Sequence, residues 1–177
     1  MLFEHDTEPN LKAAVALVNS AEPPRTLETA GDLDAFYTAH GYTVRHDGDE
    51  AELAAVQALI PRLRELLTAD RDTAAALVNR MLADASAVPR LVRHGETDWH
   101  LHSVADDAPF AVHIASETAL AVADLIRSDE MSRLSVCVDP ACEGLVLDLS
   151  RNRSRKFCST RCSNRAAVAA YRDRLRA

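Results

Sequence analysis

Apolar positions return at helical spacing through most of the first 130 residues. From Asp49 to Ala69, Leu53, Val56, Leu59 or Ile60, Leu63, Leu66 and Leu67 recur at i, i+3 and i+4, which predicts a helix with one buried face. Pro61 falls inside that run and is expected to kink or split it, because proline lacks an N–H and crowds the carbonyl four residues back. Asp32 to His40 predicts a second helix, with Asp32 as N-cap, Leu33, Phe36 and Tyr37 on its apolar face, and Gly41 as its stop. Asp72 to Ala85 predicts another, with Ala76, Leu77, Arg80 and Met81 towards the inside. Pro109 to Ser128 is an Ala-rich helix carrying Phe110, Ile114, Leu120, Leu125 and Ile126. Leu11 to Ser20 fits either a helix or a short strand with a cap, and Ala21 to Arg25, with Pro23 and Pro24, is a loop.

Short stretches depart from that period. Pro89–Arg93 and Trp99–Val104 flank a polar turn at His94–Asp98 and predict a β-hairpin. Further on, Val136 to Cys142 is a knuckle in which Pro140 sets the turn. Gly144 to Leu149 is β-prone, Ser150 to Ser154 is turn-like, and Arg155 to Phe157 is expected to be the return strand. Ser159 and Thr160 are good N-caps for a last, Ala-rich helix. Knuckle, hairpin and helix in that order make a treble clef. The chain is therefore expected to be α+β and mostly helical. A helical N-terminal domain with a small β-hairpin (residues 1–130) precedes a C-terminal treble-clef-like finger (residues 131–177).

Composition supports this plan and removes others. With 47% hydrophobic residues among 177, the chain can build one good core or two small ones. Five Gly and seven Pro exclude collagen-like or Gly/Pro-rich disordered material. No apolar run approaches the ~20 residues of a membrane-spanning helix, so no membrane partner is expected. Met1 to Asp6 shows neither the basic nor the apolar region of a secretory signal, and the cytoplasm is the expected compartment.

Charge changes the picture most. Residues 151–177 hold nine of the 20 Lys and Arg but only one of the 27 Asp and Glu, Asp173. That gives the tail a net charge of +8 against −15 for residues 1–150. The basic end suits a phosphate backbone that the acidic body would repel. The plainer reading is that the tail docks on its own body.

All four cysteines lie in this last part: Cys137, Cys142, Cys158 and Cys162. The spacing is C-x4-C, fifteen residues, then C-x3-C. In a chain expected in the cytoplasm, such pairs read as a metal site before disulfides. Four soft thiolates suit one closed, tetrahedral, structural Zn2+ per chain, while an iron–sulfur cluster is a lesser alternative. On the final helix, Arg161, Arg165, Arg172 and Arg176 fall within an arc of about 60° at ~100° per residue. Arg151, Arg153, Arg155 and Lys156 stand on the adjacent hairpin tip. These eight cations are the candidate contacts to double-stranded DNA, although Arg155 and Lys156, close to Cys158, also suit neutralising a four-thiolate centre.

The residues Cys137-Val138-Asp139-Pro140-Ala141-Cys142, the run Asp148-Leu149-Ser150-Arg151-Asn152-Arg153-Ser154, the turn Phe157-Cys158-Ser159 and Cys162-Ser163-Asn164-Arg165 together resemble the CGNR zinc finger of bacterial proteins. Ser163 stands where the family signature has Gly. The resemblance covers about residues 134–175. Such fingers commonly follow an ABATE domain, a family described as a candidate stress-induced transcription regulator, and residues 1–130 are compatible with it. The resemblance implies a bacterial DNA-binding regulator whose helical body senses a small-molecule effector or forms a homodimer. The alternative is a zinc-stabilised protein-interaction module that does not bind DNA directly.

Catalysis has no positive support. No G-x-S-x-G, Walker loop, dinucleotide glycine run or H-E-x-x-H is present, so no enzyme is expected. His100 and His102 share a strand face and tempt a metal reading. No third ligand is evident, and the pair is read as an exposed or hydrogen-bonded strand face.

Overall fold

A computed structural model describes residues 6–93 and 99–176. The body opens with α1 (Thr7–Asn19), whose Leu11, Ala13, Ala14, Val15, Leu17 and Val18 are all buried. Burial on so many faces makes α1 a central helix rather than a surface one. It settles the helix-or-strand choice for Leu11–Ser20 in favour of helix. Helix α2 (Ala30–Ala39) starts on a capping box: Thr29 Oγ1 accepts from the Asp32 N–H, and the Thr29 N–H donates to the Asp32 carboxylate. Thr29 is thus the N-cap and Asp32 the third helical residue, not the cap expected from sequence. Gly41, at φ +67°, ends the helix in a conformation that glycine adopts without strain.

Helix α3 (Glu50–Thr68) runs unbroken through Pro61. Proline is tolerated here because it sits on the exposed side, opposite the buried stripe of Leu53, Val56, Leu59, Leu63, Leu66 and Leu67. Helix α4 (Arg71–Asp84) is capped by Asp70, which accepts from the Asp72 and Thr73 N–H groups. Its buried face is Ala74, Leu77, Val78 and Met81; Ala76 and Arg80, expected inside, are exposed. Strands β1 (Arg90–Val92) and β2 (His100–His102) pair antiparallel, with Leu91 opposite Leu101. The turn expected at His94–Asp98 lies outside the described residues. Helix α5 (Phe110–Arg127) packs against α1, α3 and α4 and seals the core with Phe110, Ile114, Val122 and Leu125.

A 3-10 turn at Met131–Arg133 leads into β3 (Leu134–Val136), which pairs antiparallel with β4 (Leu145–Leu147). Helix α6 (Thr160–Arg176) closes the chain. The strand pair therefore brackets the first cysteine knuckle. The expected return strand at Arg155–Phe157 does not form. Asp148 explains why: its carboxylate accepts the N–H groups of Ser150 and Arg155, closing the loop through a side chain instead of a ladder.

Strand β4 serves two cores at once. Leu145 and Leu147 join the helical core, while Val146 packs with Cys137 and Cys162. Alternation along a strand makes this possible, since successive side chains point to opposite faces.

Candidate metal centre

The first cysteine pair is held by a tight turn. Asp139 and Pro140 take the first two places of a four-residue turn closed by the Cys142 N–H on the Asp139 carbonyl, 2.9 Å. The Asp139 carboxylate accepts the Ala141 N–H, and the Gly144 N–H points to Cys142 Sγ at 3.3 Å. Cys137 is fixed by its own N–H on the Gly144 carbonyl, 2.8 Å. The second pair sits at the start of α6. The Ser159 hydroxyl accepts the Cys162 N–H, so helix capping also places Cys162. Ser163 lies in the first helical turn, where its hydroxyl donates to the Thr160 carbonyl; no glycine-only conformation is required there.

These two local structures bring the four sulfurs within 4.8 Å of one another. Cys142 and Cys158 are 3.5 Å apart at sulfur, and Cys158 and Cys162 3.6 Å. Both separations are far beyond a disulfide bond of about 2.05 Å. They match the ~3.8 Å edge of a tetrahedron with Zn–S bonds of roughly 2.3 Å. Crowding of this kind disfavours several thiolates without a cation. The Cys158 thiol is pushed up to about 12, by burial first and then by the neighbouring sulfurs. Burial likewise raises Cys142, whereas the Ser159 hydroxyl lowers Cys162.

Gly144 forms the floor of the site. A Cβ placed there would lie 3.0 Å from Cys158 Sγ, 3.2 Å from Cys142 Sγ and 3.3 Å from Asn19 Oδ1. Asn19, the last residue of α1, grips the next residue along: its Nδ2 donates to the Leu145 carbonyl at 2.9 Å, and its Oδ1 accepts the Leu145 N–H at 2.6 Å. The body thus holds the strand that leaves the knuckle.

The basic residues divide into two groups. Arg165 turns inward: its Nε donates to the buried Asp139 carboxylate at 2.6 Å, and Nη2 lies 3.6 Å from Cys162 Sγ. Burial raises the Asp139 carboxyl, but the Ala141 N–H and the Arg165 guanidinium outweigh it and hold the group below the usual carboxylate range. Arg155 donates to the carbonyls of Phe157 and Cys158, and Arg153 pairs with Glu130 and donates to Ser132. Arg151, Lys156, Arg161 and Arg172 are exposed and have no ion pair among the described residues. The Arg176 side chain lies outside the described ones. The loop from Asp148 to Ser154 is a scaffold: buried Arg133 donates to the carbonyls of Asp148 and Ser150 and pairs with Glu130.

Sequence reasoning gave no structural role to Asp148, Arg133 or the two hydrogen bonds between Asn19 and Leu145. An Asp before a turn signals the first; nothing local signals the other two. The His100 side chain also lies outside the described ones, while His102 Nδ1 faces Asp106 at 3.1 Å. Among the described residues the four cysteines are the only group placed to hold a metal, and no helix is long and apolar enough to cross a membrane.

Comparison with known families agrees with this geometry. The CGNR zinc finger family matches residues 133–175. The ABATE family, described as "putative stress-induced transcription regulator", matches residues 11–129. No curated protein matches the chain. The chain belongs to the ABATE family and carries a CGNR zinc finger, and four cysteines this close within such a finger support one structural zinc ion.

Proposed function

We propose that this ABATE-family chain is a DNA-binding transcription regulator whose zinc finger presents basic side chains to duplex DNA. Cys137, Cys142, Cys158 and Cys162 are the zinc ligands in this reading. Four thiolates leave no open position on the metal, so zinc supplies folding energy to a segment too small to fold alone. Residues 131–177 act as the reading module, and residues 1–130 act as a sensor or dimerisation body in the cytoplasm.

The observation that carries the reading is the pair of exposed guanidiniums, Arg161 and Arg172, along one side of α6. Arg161 and Arg172 are about 20° apart around the helix and roughly 16 Å apart along it. Arg151 and Lys156, exposed in the segment before α6, add to the positive charge of this end of the chain, while the inward turn of Arg165 gives it to the metal centre. Phosphate contacts from such a row supply affinity that falls with salt.

A second reading, a protein-interaction module, is favoured by Val168, Tyr171 and Leu175, which are 48%, 57% and 70% exposed along one side of α6. Anisotropy with duplex DNA over a salt series separates the two. Binding should weaken linearly in log–log form, and Arg161→Ala or Arg172→Ala should each reduce the slope by about one. Negligible binding by the zinc-loaded full chain at low salt would overturn the DNA reading and leave the second.

A further inference from the structure

We propose that the groove between α1 and β4, where body and finger meet, binds a small organic monoanion with an apolar tail. The open cavity there is about 480 Å3. That lies within the range of small-molecule sites, which favour places where two units meet. Its apolar lining includes Val15 and Ala16 from the body and Leu147 and Leu149 from the finger.

The charge of the ligand follows from which polar groups at the groove still have hydrogen-bonding capacity. Asp148 is buried, and both its oxygens are taken by the N–H groups of Ser150 and Arg155. Asn19 spends its amide on Leu145. Glu8 keeps one carboxylate oxygen free, against two cations that keep donors to spare. The Lys12 ammonium holds only Glu8, and the Arg155 guanidinium uses Nε and Nη2 on carbonyls, leaving Nη1. The Lys12–Glu8 pair is an exposed i, i+4 contact, worth little, and yields readily to a better-placed carboxylate. Two cationic residues beside an apolar lining fit a carboxylate carried on an aliphatic or aromatic body.

Because α1 and the finger line the same groove, and Cys158 borders it, an occupant touches both units. Control of DNA binding by that occupant rests on the regulator reading; the binding itself does not.

The experiment uses the zinc-loaded, 15N-labelled full chain, titrated with octanoate and with naphthalene-1-acetate. Saturable amide shifts centred on Lys12, Ala16, Asn19, Leu147 and Arg155 are expected with at least one acid, and 1-octanol should bind at least tenfold more weakly than octanoate. Lys12→Glu should weaken the acid tenfold or more, and Ala16→Trp should abolish the shifts, both with zinc content unchanged. Shifts that do not saturate or centre elsewhere, indifference to Lys12→Glu, or equal binding of the alcohol would overturn the proposal. None of these readouts involves DNA, so this site and the regulator reading fail separately.

Discussion

Asn19 and Leu145 are 126 residues apart in sequence, yet the side-chain amide of one meets the backbone of the other as a neighbouring strand would, donating to its carbonyl and accepting its N–H. A single amide thereby satisfies both polar groups of a residue that is 1% exposed. Removing it leaves a buried donor and acceptor without partners, which costs more than a hydrogen bond contributes when made.

Asn19→Ala is therefore expected to destabilise the chain by on the order of 2 kcal/mol. Urea unfolding of the zinc-loaded protein checks this. A loss within error of zero would mean that water replaces the amide.

The Arg165–Asp139 pair should act on the metal through Cys162. Arg165→Ala and Asp139→Asn are each expected to weaken zinc binding by ~10–100-fold, the size of effect seen when groups behind metal ligands are lost. The double variant should be little worse than either single one, because both belong to one interaction. Competition with a chromophoric chelator measures all three, with Arg172→Ala as the variant that leaves zinc affinity unchanged.

Gly144→Ala should be costly although it replaces no ligand. The new methyl would press on two sulfurs and on Asn19 Oδ1, and none of the three is the free end of a flexible chain. A fall of roughly tenfold or more in zinc affinity is expected, together with a destabilisation like that expected for Asn19→Ala.

Asp70 gives the body an acid-sensitive cap. The Thr73 N–H, followed by the Thr73 hydroxyl, holds its carboxyl below the usual range. A depressed carboxyl contributes stability above its unfolded value of about 3.9 and loses it as pH falls through the lower folded value. Asn caps a helix equally well but does not titrate. Melting of wild type and Asp70→Asn should run in parallel near neutral pH, with wild type falling behind below about pH 4.

Much of this was legible in the residues. Cysteine spacing identified the metal site because each pair is held by a local turn, at Asp139-Pro140 and at Ser159. Apolar period predicts the body helices except α1, where it fits helix and strand alike. Two of the misreadings share a physical cause: a side chain replaced the backbone partner that local patterns assume. Thr29 and Asp32 exchange bonds, so the cap lies three residues earlier than a lone Asp suggests. Asp148 takes the Arg155 N–H that a return strand would have used. A helical wheel placed Arg165 in the basic stripe correctly by angle, but it could not show a buried carboxylate waiting opposite.

The double allegiance of β4 sets a limit on protein engineering. A finger excised at residue 133 and spliced to a foreign partner would carry Leu145 and Leu147 into water and lose the grip of Asn19. A transplant of the metal module must bring along the surface of α1, or redesign one face of a three-residue strand.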